Sequence, residues 1–158
     1  MRKLAACLLL LLGACVQPSA FGPEVRAVPL DQLASAAPAG KLSGVAEPVA
    51  YRVEMTVDPR EPRFSGHVEI DINLETSATG IWMHGLGLDV SDVEITAGGE
   101  TRRATWTVVD PTGVVWVGFP NRVPGGGVTL TVDYDAPFDA NLAGLFREIG
   151  RASCREKV

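Results

Sequence analysis

Cysteine is scarce in this chain, with three in 158 residues at Cys7, Cys15 and Cys154. None lies in the long middle stretch, so a folded domain there has no disulfide framework and must hold together by packing. Histidine is scarcer still. His67 and His84 are 17 positions apart, whereas a zinc centre needs about three or four converging ligands. Cations are also few, 14 Lys and Arg against 19 Asp and Glu, a net charge of −5. Without Arg2, Lys3 and everything from residue 148 onward the count is 9 against 17, a net of −8. No basic run or patch remains, which excludes nucleic acid as a partner. No apolar run approaches the roughly 20 residues of a transmembrane helix, and beyond residue 47 no helical period appears.

Signals are concentrated at the amino end. Met1, Arg2 and Lys3 form a basic start, and the apolar run "LAACLLLLLG" follows. That run has the length of about 7–15 residues expected of a signal peptide. It closes on "LGAC", Leu12 to Cys15, which resembles a bacterial lipobox, in which small residues precede a cysteine that is lipidated and becomes the mature N-terminus. The other reading is an ordinary secretory signal that happens to hold a cysteine. On the lipobox reading residues 1–14 are signal peptide, Cys15 is the lipidation site, and the partner is the lipid bilayer. Val16 after the cysteine, where an aspartate would signal retention, points to the outer membrane, facing the periplasm. Residues 15–47 are rich in Pro, Ala, Gly and Ser with single scattered apolar residues, the composition of a flexible tether. "PLDQLASAA" has room for a helical turn or two but shows no apolar face, and is read as linker.

From residue 48 the period becomes two. "YRVEMTV" places Tyr51, Val53, Met55 and Val57 on one face and Arg52, Glu54 and Thr56 on the other. After the proline-marked turn "DPREP", "RFSGHVEIDINL" sets Phe64, Val68, Ile70, Ile72 and Leu74 inward and His67, Glu69, Asp71 and Asn73 outward. This is a half-buried antiparallel strand pairing with the first. "GIWMH", "LDVSDVEITA", "TRRATWTVV", "VVWVGF" and "VTLTVDY" complete seven expected strands. A phase change between Val90 and Val93 predicts a bulge, and "PGGGV" reads as a hairpin connection. Strands at such spacing predict an all-β antiparallel sandwich or an open, saddle-like sheet.

Candidate chemistry is sparse. Ser65, Ser77 and Ser91 are the serines available to a nucleophilic triad, and none sits in a nucleophile elbow. "PGGGV" lacks the lysine and the following helix of a phosphate loop. Glu69 and Asp71 share a strand face, as carboxylates do on most polar sheet faces. Trp82, Trp106 and Trp116 fit either a ligand groove or, as aromatics on alternating strands more often do, inter-sheet packing. No catalytic or metal-ligating residue is assigned.

The stretch from Pro48 carries a family pattern: Pro48, Tyr51, Asp58 and Pro59, then Phe64, Gly66, Val68 and Ile70, then Ile81 and His84, then Leu88, Val90 and Val93. It resembles the opening of the N-terminal domain of zinc aminopeptidases related to aminopeptidase N and leukotriene hydrolases, with Met83 where leucine is usual. "VTLTVDYDAP" and "LAGLFR" resemble a later segment, so the likeness spans residues 48–147. The resemblance implies that the intact protein uses zinc to remove N-terminal residues from peptides. It also implies that the amine-gripping G-A-M-E-N segment and the H-E-x-x-H zinc helix lie downstream, since neither motif occurs here. On this reading the sandwich is incomplete at its C-terminal end. Residues 148–158, "EIGRASCREKV", look like a translated sequencing adapter, with Lys157 where that frame gives arginine, and are read as a non-native tail. A loose biological terminus is the other reading. The rival functional reading is a non-catalytic β-sandwich lipoprotein that binds a protein or glycan partner.

Overall fold

The computed structural model describes residues 19–42, 44–138 and 145. One helix, α1 (Leu30–Ala36), precedes eight strands: β1 (Ala46–Thr56), β2 (Arg63–Leu74), β3 (Ala78–His84), β4 (Asp89–Ala97), β5 (Glu100–Arg103), β6 (Thr105–Val108), β7 (Val114–Val123) and β8 (Gly126–Pro137). They form two antiparallel sheets, one ordered β1-β2-β8-β4-β5 and the other β3-β7-β6. Neither closes into a barrel, as expected of an all-β sandwich. No helix among the described residues is long and apolar enough to cross a membrane.

Strict alternation builds the layers. Ile70, Ile72 and Leu74 of β2, Val128, Leu130 and Val132 of β8, and Val93, Ile95 and Ala97 of β4 are all buried. Registered side by side, they make one continuous apolar face. Facing them are Ile81 of β3 and Val115, Val117 and Phe119 of β7. The bulge expected in β4 is present as a register shift between Val90 and Asp92, and β1 pairs with β2 as anticipated.

The stretch read as one strand, "TRRATWTVV", is two. β5 pairs with β4 in the larger sheet, and β6 pairs with β7 in the smaller one. The break falls at Ala104, which is buried and donates its N–H to the Val93 carbonyl at 2.8 Å. A small side chain lets the chain turn this corner between sheets.

The expected hairpin at "PGGGV" is also corrected. β7 and β8 belong to different sheets. Each already has a hydrogen-bonded neighbour on both sides, β3 and β6 for β7, and β2 and β4 for β8. No edge is left for them to pair, so the glycines cross from layer to layer. A true hairpin stands elsewhere, between β4 and β5. Gly98 and Gly99 both have positive φ (56° and 83°), as a two-residue turn of the primed type requires.

Part of the expected tether is held in place. Phe21 is buried in the core, with the Arg102 guanidinium 5.6 Å above its ring. Gly22 N–H donates to the Arg122 carbonyl at 2.8 Å, and Val25 N–H to that of Pro120 at 2.7 Å. One large aromatic in a stretch of small residues was the available signal. Leu33 of α1 is likewise buried.

Candidate functional site

The inner face of the five-stranded sheet extends further than the three strands opposite it can cover. At the uncovered side a groove of about 870 Å³ opens between the layers. Its floor is Val68, Ile70 and Ile72 of β2 with Val132 and Tyr134 of β8, its wall is Ile81, Met83 and Trp106, and Tyr51 and Val53 of β1 form the open lip. Period two predicted that Tyr51, Val53, Met55 and Val57 share a face, and the register bears this out for the three within β1, Tyr51 lying beside Ile70, Val53 beside Val68 and Met55 beside Gly66, while Val57 falls beyond the strand. The face is not covered, however. These four side chains are 60, 53, 53 and 43% exposed. Alternation reports that residues share a face, and says nothing of whether another layer lies over it.

The tryptophans divide. Trp106 points inward against the core, and its buried Nε1 has no hydrogen-bond partner among the described residues. Trp82 and Trp116 pair across β3 and β7 on the other face of the smaller sheet, ring centroids 4.9 Å apart at 59°. Gly80 makes room for that pair. A Cβ there would lie 2.3 Å from the Trp116 ring.

The polar face of the larger sheet carries the histidine and paired carboxylates singled out above. Arg52 donates from Nε to Glu69 at 2.6 Å and from Nη1 to Asp71 at 2.7 Å. Thr129 donates to Asp71 at 2.9 Å. Hydrogen bonds from Arg52, then Thr129, hold the Asp71 carboxyl below its usual range, and the hydrogen bonds to Asp71, then Glu69, raise the Arg52 guanidinium. His67 Nδ1 lies 2.6 Å from Asp133 Oδ1. That hydrogen bond, with smaller help from the charges of Asp133, Glu69 and Glu54, raises the imidazole above its ordinary value.

These are ion pairs on one sheet face. Ser91 donates to the Asp133 backbone carbonyl at 3.2 Å, Ser77 accepts from Arg122 at 3.5 Å, and Ser65 is exposed. His84 ends β3, in the smaller sheet, while His67 lies in the larger. Among the described residues no three His, Cys, Asp or Glu side chains converge as metal ligands. The donor set described here therefore does not fit zinc. Cys15, the lipidation candidate, lies outside the described residues, as do Cys7 and Cys154.

The groove and its apolar lip lie on the larger sheet of a two-sheet scaffold. Residues 47–153 match the Peptidase M1 N-terminal domain. The chain belongs to the M1 peptidase family. Among solved structures, an M1 zinc metallopeptidase from Deinococcus radiodurans, a mutant bound to a Tyr-Ser-Ala substrate, shares the fold at TM-score 0.50 and 23% identity, over 66% of this chain and 25% of that one. Another structure of an M1 zinc metallopeptidase from that organism aligns at TM-score 0.49 and 24% identity, over 62% and 22%. A two-domain M1 zinc metallopeptidase mutant bound to L-arginine aligns at TM-score 0.49 and 25% identity, over the same shares. No curated protein matches. The M1 domain described here thus spans about a quarter of the length of the solved structures it resembles.

Proposed function

We propose that this chain is the N-terminal β domain of a zinc metallo-aminopeptidase that removes N-terminal residues from peptides. The observation that carries the proposal is the match of residues 47–153 to the M1 N-terminal domain. The Tyr-Ser-Ala complex of a structural relative supports peptides as the substrate class. In such enzymes zinc polarises the scissile carbonyl and activates water. The described residues of this chain hold no ligand set for it, so its part is positional. Two layers joined by one continuous apolar core form a scaffold for the rest of the protein.

The gene beyond codon 147 decides the matter. The expected outcome is a reading frame that continues to an H-E-x-x-H helix, with a product that releases N-terminal residues from amino-acid anilides and loses that activity to a chelator. The 158-residue chain alone should take up no stoichiometric zinc by elemental analysis. A frame without the zinc motif, or a short chain with its own chelator-sensitive activity, would overturn the proposal. The former would favour a partner-binding lipoprotein.

The same proposal places the protein in a bacterial envelope, anchored at the outer membrane through acylated Cys15 and facing the periplasm. The signal-like run ending in "LGAC" supports this, and two acyl chains anchor far more firmly than one. Cys15→Ser should abolish fatty-acid labelling and leave the precursor unprocessed. Equal labelling of both forms would exclude the anchor.

A further inference from the structure

β1 is an edge strand. Among the described residues it pairs only with β2, and its far side carries no partner. It spans 11 residues, and such edges are templates for another strand. We propose that the partner is a second copy of this chain, paired antiparallel through β1 about a twofold axis at Val53.

Three observations select that occupant and that register. First, the strand is irregular at its start, where the register shifts between Pro48 and Ala50. The regular part runs from Ala50 to Thr56, and its midpoint is Val53. Second, an antiparallel self-pairing keeps the apolar row on one face only if it is centred on a residue, because side chains alternate strictly. Centring on Arg52 or Glu54 sets like charges directly opposite, which is destabilising. Centring on Val53 sets Arg52 opposite the partner copy's Glu54, twice by symmetry, and Tyr51 opposite Met55 on the apolar face. Third, this pairing completes a charge row already half built. Asp133 registers with His67, His67 with Glu54, and Arg52 with Glu69. Joining Glu54 of one copy to Arg52 of the other gives carboxylate, imidazole, carboxylate, guanidinium and carboxylate in unbroken alternation across the junction. On the opposite face the lips of two grooves meet, and the exposed Tyr51, Val53 and Met55 cover one another.

Residues directly opposite in an antiparallel pair have Cα atoms about 4.5–5.5 Å apart, within the roughly 4.4–6.8 Å a disulfide spans. The test uses the full chain with Cys7, Cys15 and Cys154 changed to serine and single cysteines placed on β1, under mild oxidation. Val53→Cys should give a covalent dimer, and so should the double variant Tyr51→Cys with Met55→Cys. Tyr51→Cys or Met55→Cys alone should crosslink about tenfold less, because symmetry then sets the two sulfurs four residues, about 13 Å, apart along the strands. Adding Glu54→Lys to Val53→Cys should also lower the yield, since it faces a lysine with Arg52. All of these side chains are exposed, so the variants retain the fold, which circular dichroism verifies. Equal crosslinking at positions 51, 53 and 55, or a monomer with no crosslink at 53, would overturn the proposal.

Discussion

At the residue scale, Leu130 and Trp116 show two ways in which one side chain is fixed by its neighbours. Leu130 is fully buried and registers with Ile70 on one side and Ile95 on the other. Leu130→Ala should cost about 2–5 kcal/mol in a denaturant melt, the lost transfer energy plus the cavity left behind. Trp116 needs an absence beside it. Gly80→Ala should push the indole away and destabilise by about 1–3 kcal/mol, with a shifted tryptophan emission. An unchanged spectrum would mean that the ring pair does not rest there. His67 gives a pH signature. Its folded pKa is raised, chiefly by the hydrogen bond to Asp133. The stabilisation is therefore complete below the unfolded imidazole value near 6.5 and is lost as pH rises through the folded value. Both partners are well exposed, so the effect stays within the ~0.2–1 kcal/mol of a surface pair. Asp133→Asn should lower the melting midpoint at about pH 5.5 and approach the wild type at about pH 9. A gap that widened with pH would contradict this reading.

At the element scale, sequence and structure part company over connections. β2 and β8 follow the alternation closely, because the burial of one face fixes the register of every residue. "TRRATWTVV" and "PGGGV" were misread because local pattern cannot tell a turn within a sheet from a step between sheets. That depends on which edges are already occupied, and both edges of β7 and of β8 are. The turn at Gly98 and Gly99 isolates a purely local cost. At Gly99 a Cβ would meet nothing within 4 Å, so Gly99→Ala tests only the positive φ and should cost about 1–2 kcal/mol. On β1, Val53→Lys would set two lysines directly opposite at the proposed twofold axis, which is destabilising, and should convert the dimer to a folded monomer in size-exclusion chromatography. An unchanged dimer would contradict the pairing.

At the scale of the molecule, a sheet of five strands faces a sheet of three among the described residues, and the mismatch leaves the groove and the β1 face uncovered by them. Among the described residues of this M1 domain no cluster of metal ligands converges. The β1 edge and its uncovered apolar face are the proposed seat of a second copy.

Composition and period two determined the all-β class, the inward residues of β2, the β4 bulge and the exclusion of disulfides. Each is set by a residue's own chemistry or by its near neighbours. The order of residues from Pro48 to Val93 carried the family. Only the tertiary structure decided that Ala104 divides a strand between sheets, that Phe21 belongs to the core, and that Tyr51 and Val53 lie bare while Ile70 and Val68 beside them are covered. Those outcomes depend on which layer lies above which strand, and layer overlap is a property of the assembled chain that no window of residues contains.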